Sequence, residues 1–179
     1  MKTLADNSRD PRKQEVLVLT GSPGSGKTTL ANKISELLTS RDEAHAVIDV
    51  DELARIHPEL DCSPKWANLA AIWPNYAAIP GLGKVILPVL IDTPDDLDQL
   101  HLAVGRSALH IVELTAAESA LVERVTIREP NDYWRSKLRG LAERYVERPD
   151  DLKFGDFTVD TEAQAPEQSA HEVLEKIGW

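Results

Sequence analysis

The stretch that most constrains this chain is Val16-Leu-Val-Leu-Thr20 followed at once by Gly21-Ser-Pro-Gly24-Ser-Gly26-Lys27-Thr28. A short run of valine and leucine reads as a strand buried on both faces of a parallel sheet. Leu30, Ile34, Leu37 and Leu38 recur at helical spacing just beyond it, so the glycine-rich segment joins a strand to a helix. It fits G-x-x-x-x-G-K-[ST] in full, in the strand–loop–helix setting that the motif requires. Glycines let successive backbone N–H groups converge on phosphate oxygens, and the helix start adds its positive dipole end. The expected phosphate-binding set is Gly21, Ser22, Pro23, Gly24, Ser25, Gly26, Lys27, Thr28 and Thr29. In it, Lys27 reaches the β- and γ-phosphates and the Thr28 hydroxyl binds Mg²⁺.

Strand and helix signals alternate through the rest of the chain. Ala46–Val50, Val85–Ile91, Leu109–Leu114 and Phe157–Val159 read as further strands, the second with Pro88 at an irregular spot. Trp66, Leu69, Ala70 and Trp73 follow helical spacing with Pro74 as the stop. Thr93-Pro94-Asp95-Asp96 is a helix start and Gly105 its end. Thr115-Ala-Ala-Glu118 fits a capping box that opens a helix running to about Glu129, before Pro130. Trp134, Leu138, Leu141 and Tyr145 mark another helix, and Ala170, Val173, Leu174 and Ile177 a terminal one. Five strands separated by helices predict an α/β protein, a three-layer α/β/α sandwich around a five-stranded parallel sheet. Residues 1–13 read as a flexible tail, 14–179 as a single domain, and 147–156 as a loop.

Composition narrows the function classes. The 179 residues are 42% hydrophobic and 28% charged, with a formal net charge of −10. Such acidity argues against a nucleic-acid partner. No apolar run approaches the ~20 residues of a membrane span, and the first residues lack a signal-peptide core. The single cysteine, Cys62, allows no internal disulfide. The expected setting is cytoplasmic. The basic residues are not spread evenly, since residues 124–139 hold five basic side chains against two acidic, and 141–179 four against ten.

Asp49-Val-Asp51 closes the second predicted strand, at the sheet edge where open α/β folds bind ligands. Residues two apart in a strand face the same side, so both carboxylates address one space. One suits Mg²⁺ through water and the other the proton of an attacking hydroxyl, while Asp51-Glu52 also fits a helix cap. Arg124 and Arg128, four apart on a helix, share a face. Their forked guanidinium groups match phosphate oxygens, and a solvated face paired with Glu123 or Glu129 fits the same spacing. Asp92 follows a buried strand as a Walker B acid would, though Thr93-Pro94 beside it also suits a cap. A guanine-reading Asn-Lys-x-Asp is missing, since the only Asn-Lys, Asn32-Lys33, lies inside the first helix.

GSPGSGKTTL followed by VIDVDELARIHPEL resembles the small P-loop kinases of the zeta-toxin and chloramphenicol-phosphotransferase type, and more distantly adenylylsulfate, gluconate and shikimate kinases. The run of Asp49, Asp51, His57 and Pro58 is most similar to the zeta-toxin group. The resemblance implies the P-loop NTPase fold of the nucleoside-monophosphate-kinase kind, with ATP and Mg²⁺ as cofactors and a small-molecule acceptor. It implies Asp51 as catalytic base, Asp49 as metal residue beside Thr28 and Asp92, and an R-x-x-x-R lid in which Arg124 and Arg128 act with Lys27 on the transferred phosphoryl. It places a substrate-binding insertion at about 52–83 and the lid at about 124–139. In the insertion Arg55, Trp66, Trp73 and Tyr76 are the candidate acceptor contacts, while the helical spacing of Trp66 and Trp73 equally fits core residues. The expected reaction moves the γ-phosphoryl of ATP to a hydroxyl of a sugar, nucleoside, amino-sugar nucleotide or antibiotic. The alternative is an ATP-binding protein that sequesters a ligand or regulates a partner without transfer.

Overall fold

The computed structural model describes residues 14–57 and 63–179; the expected tail over 1–13, together with Pro58 and Cys62, lies outside the described residues. Strand and helix alternate as β1 (Glu15–Gly21), α1 (Lys27–Ser40), β2 (His45–Val47), α2 (Lys65–Ala77), β3 (Lys84–Pro88), α3 (Pro94–Val104), β4 (Ala108–Thr115), α4 (Glu118–Arg128), α5 (Asp132–Val146), β5 (Phe157–Asp160) and α6 (Pro166–Ile177), with short 3-10 turns at Glu52–Ala54 and Asp150–Leu152. The five strands make one sheet in the order β2-β3-β1-β4-β5, and each neighbouring pair is parallel. This is the α/β sandwich that the alternation predicts.

β1 is central and buried on both faces, with Val16, Leu17, Val18 and Leu19 fully shielded. Its even-numbered residues join Trp66, Leu69, Trp73, Leu100 and Val104 in one apolar layer, under α2 and α3. Its odd-numbered residues join Leu30, Ile34, Leu38, Val173 and Leu174 in the other, under α1 and α6. The alternation of the strand thus assigns one pair of helices to each face. Among the described residues no helix is long and apolar enough to cross a membrane.

Three local expectations are corrected. Pro74 lies inside α2 rather than ending it. The missing N–H removes one bond, to Ala70, which is on the exposed face where water can serve its carbonyl, and one more turn closes as the Ala78 N–H reaches the Pro74 carbonyl. Thr115 does not cap α4. It is the last residue of β4, opposite Asp160, and the Glu162 carboxylate instead accepts from the Ala117 N–H at 3.0 Å. The third strand ends at Pro88, not Ile91: proline cannot donate to the ladder, and beyond Val89 side chains take over the backbone groups. The start at Thr93 holds, with Thr93 and Asp96 forming a reciprocal capping box.

On the α2/α3 side of the sheet, past the end of its apolar layer, is an ion pair that no motif announces. Glu113, opposite Thr20 in the ladder, accepts from Arg148 at 2.5 Å, with side-chain exposures of 3% and 5%. The guanidinium stacks 3.6 Å from the centre of the Tyr145 ring. Gly155 makes room for this, because a Cβ there would come within 2.8 Å of the Glu113 Cβ. Burial pushes the Tyr145 phenol well above its usual pKa, and the Glu113 charge adds to the rise. A pair desolvated this completely stabilises little on balance, yet removing one partner strands the other charge. Arg148→Met is therefore expected to cost about 3–5 kcal/mol in urea unfolding, and Glu113→Leu combined with Arg148→Met to cost distinctly less than the single change.

Candidate active site

The glycine-rich loop carries the chain from β1 into α1, with Gly26 at the helix N-cap in the left-handed region at φ 93°. Gly24 has φ +84°, and a Cβ on it would meet the Leu121 carbonyl at 2.7 Å, so only glycine lets α4 pack this close. The Lys27 ammonium donates to the Gly21 carbonyl at 2.9 Å and the Ser22 carbonyl at 3.3 Å. It lies 3.9 Å from the Asp51 carboxylate, with 12% of its side chain exposed. Burial holds the Lys27 pKa below its ordinary value; Asp51 and Asp49 oppose the shift, and the charges of Arg128 and Lys65 add to it.

The two carboxylates come from the chain just past β2, where the Ile48 and Val50 N–H groups still bond to β3. The Thr28 hydroxyl donates to Asp49 Oδ2 at 3.0 Å. Asp51 Oδ1 accepts from the Leu90 N–H at 3.1 Å. Asp51 also precedes the 3-10 turn at Glu52–Ala54 but makes no side-chain cap to it. Among the described residues no group of three or more His, Cys, Asp or Glu gathers to hold a metal. The Thr28 and Asp49 oxygens nonetheless fit Mg²⁺, a hard ion that keeps several waters and takes its remaining ligands from phosphates.

A cavity of about 340 Å³ opens beside the loop, lined by Gly24, Gly26, Thr29, Arg124, Arg128, Thr161 and residues at the start of α6. The two α4 arginines both face it, with different surroundings. Arg124 is half-buried and bridges the Gly24 carbonyl at 3.3 Å, the Thr161 hydroxyl at 3.1 Å and the Thr161 carbonyl at 3.2 Å. Arg128 is exposed at the rim. Farther along, Arg135 folds back onto Asp132 and the Glu129 and Pro130 carbonyls.

The candidate acceptor contacts separate. Trp66 and Trp73, only 8% and 7% exposed, are core residues under the sheet, and the Trp66 indole N–H is spent on Asp96 at 2.8 Å. Tyr76 is at the wrong end of α2. Its carbonyl accepts from Gln14, which precedes β1 at the amino edge of the sheet, while Lys65, the first residue of the helix, bonds to the Leu90 carbonyl at the carboxyl edge. At ~1.5 Å per residue those ends are about 16 Å apart. Arg55 is exposed and pairs with Glu52 at 3.1 Å. Asp92 gives its N–H to Asp96 Oδ2 at 3.1 Å, and Thr93 and Asp96 supply the cap. The structure adds Lys65, 3.1 Å from Asp96, to the residues around Asp51. Its place at the head of an aromatic helix gave no sequence signal beyond its charge.

The Asp49 carboxyl is held above its ordinary 3.8 mainly by burial, with Asp51 adding and the Thr28 hydrogen bond opposing. A carboxyl raised by folding costs stability once ionised: the cost is nil below the unfolded value and complete above the folded one. Asp49→Asn should therefore raise the thermal midpoint at pH 7.5. The gain should vanish as the pH falls toward 3.8, as thermal scans across that range will show.

The zeta-toxin family model matches residues 2–69, and a search of curated proteins gives no significant match. Among solved structures, the chain is similar to the APS kinase of Mycobacterium tuberculosis in complex with AMPPNP and APS, with TM-score 0.66 and 18% identity over 93% of this chain and 99% of that one. It is similar to a gluconokinase from Sinorhizobium meliloti at TM-score 0.61 and 23% identity over 94% and 95%. It is also similar to a tunicamycin resistance protein of Deinococcus radiodurans at 0.63 and 18% over 93% and 96%. The chain thus shares the α/β fold of these solved structures, and its likeness to the zeta-toxin family covers residues 2–69.

Proposed function

We propose that this protein is an ATP-dependent kinase that moves the γ-phosphoryl group to a hydroxyl of a small metabolite. The observation that carries the proposal is the Asp51 carboxylate 3.9 Å from the Lys27 ammonium. It places a proton acceptor next to the cation that would hold the β- and γ-phosphates. The likeness to an APS kinase, a gluconokinase and a shikimate kinase supports the same reaction class.

In this reading the loop amides and Lys27 bind the phosphates, and Arg124 braces the cavity wall beside the nucleotide. Thr28 and Asp49 hold Mg²⁺, which when bound neutralises phosphate charge. Asp51 orients the acceptor hydroxyl and takes its proton. As the acceptor oxygen bonds to the γ-phosphorus, the bond from that phosphorus to the β,γ-bridging oxygen breaks and ADP leaves. Arg128, at the rim, has the freedom to follow charge on the phosphoryl oxygens. The acceptor approaches from the side of Asp51 and the first turn of α2, since the aromatic part of that helix is core.

γ-Labelled ATP incubated with the enzyme and a metabolite pool should yield a labelled product that is lost in Lys27→Ala. Asp51→Asn should lower transfer by about 10²-fold or more. Arg128→Ala should reduce kcat at saturating ATP more than it weakens ATP binding. Slow hydrolysis indifferent to any acceptor would instead support a binding or regulatory protein.

A further inference from the structure

Past Pro88 the chain leaves the β3 ladder, yet its backbone is not loose. The Val89 N–H donates to the Leu19 carbonyl at 3.0 Å. The Leu90 carbonyl accepts from Lys65 Nζ at 2.7 Å, and the N–H of the same peptide, from Ile91, donates to Thr20 Oγ1 at 3.0 Å. Arg148 then donates to the Ile91 carbonyl at 3.3 Å. The Leu90 N–H goes to none of these anchors; it goes to Asp51 Oδ1.

We infer that Lys65 is a positioning residue for Asp51, acting through the Leu90 backbone. This rests on the proposal that Asp51 orients the acceptor. A short carboxylate with 39% of its side chain exposed has rotamers to choose among, and one fixed N–H donor selects the orientation. With Oδ1 so held, Oδ2 is the oxygen toward Lys27, facing the space where transfer would occur. The donor is only as fixed as its own peptide chain. A segment that follows proline loses its regular ladder, and here, beyond the Val89 N–H, its position comes from side chains. Lys65 supplies this across the gap from α2, and is itself held: its side chain is 13% exposed and lies against Asp96, whose carboxylate also receives the Trp66 indole N–H. The linkage runs from the α3 cap through Asp96, Lys65 and Leu90 to Asp51.

The test compares Lys65→Met, Lys65→Arg, Asp51→Asn and Asp51→Ala by two measurements, the last variant removing the acceptor of the Leu90 N–H. The first is the Leu90 amide resonance and its hydrogen exchange in the ¹⁵N-labelled protein. The second is labelled phosphoryl transfer from ATP to a metabolite pool, alongside direct titration of ATP binding. Lys65→Met should shift the Leu90 amide toward its position in Asp51→Ala and lower transfer by about tenfold or more, with ATP affinity held within about twofold. Lys65→Arg should restore most of both. A Leu90 amide unmoved in Lys65→Met, or transfer at the wild-type rate, overturns the inference. Were Lys65 only a staple between α2 and the sheet, thermal stability would fall while the Leu90 resonance stayed in place. If Lys65→Met does not fold, wild-type exchange decides: a Leu90 amide unprotected, or as protected in Asp51→Ala, which has no side-chain acceptor, as in the wild type, removes the contact on which the inference depends. Transfer that survives Asp51→Asn would fell the role of Asp51 itself, a failure distinct from that of Lys65.

Discussion

A lysine ammonium held nearly out of water is the constraint around which the carboxyl edge of the sheet is organised. Taking such a charge from water is costly unless it is paired and hydrogen-bonded. Lys27 meets that demand with two loop carbonyls and Asp51. The loop must therefore curl back over its own helix, which left-handed glycines at 24 and 26 permit. The chain past β2 must also bring Asp51 to the same spot, and the parallel pairing of β2, β3 and β1 achieves this by ending these strands on one side. What in isolation would be a penalty becomes a set of positions in which each partner of the lysine is also suited to a phosphate, a metal or a hydroxyl.

How much of this was legible in the sequence depends on the range of the interactions. The strand, the phosphate loop and the helix start at Thr93 are local: their residues interact across a few positions, and their spacing records it. Asp49 and Asp51 are nearly so, because the end of a strand in an open α/β fold is itself a location. The helix of Trp66, Trp73 and Tyr76 was legible as a helix, but spacing cannot tell which end meets the sheet's carboxyl edge. That direction takes Tyr76 away from the site and brings Lys65 into it. Glu113 and Arg148 were not legible at all, being 35 positions apart and without a motif. Their pairing follows from the register of β4 against β1 and the small volume of Gly155.

Pro88 shows how an apparent defect in a strand can serve a site. A regular β3 running on to Ile91 would commit the Leu90 N–H or its neighbours to a neighbouring strand. Ending the ladder frees that donor, at the cost of a segment that must be secured from outside. Thr20, Lys65 and Arg148 secure it from β1, α2 and the chain just beyond α5. The buried Glu113–Arg148 pair, hard to justify as a source of stability, then has a geometric reason: it fixes the guanidinium that holds the Ile91 carbonyl.

Charge balance connects the edge to the acidity of the whole chain. Around Lys27 the cations Lys65 and Arg128 stand with the carboxylates Asp49 and Asp51, and Asp96 lies against Lys65, so charges of the two signs are mixed at close range. A triphosphate entering alone would leave a strong negative excess beside two carboxylates, of which Asp49 is already raised above its ordinary pKa by burial, with Asp51 adding to the rise. A divalent cation entering with the nucleotide would relieve that excess, and Thr28 with Asp49 would hold it. An acidic protein can thus bind a polyanion without a broad basic surface, provided that the anion brings its own counter-ion. The few cations at the site need only hold phosphates in place, which a buried lysine and a forked arginine do better than a larger number of solvated charges.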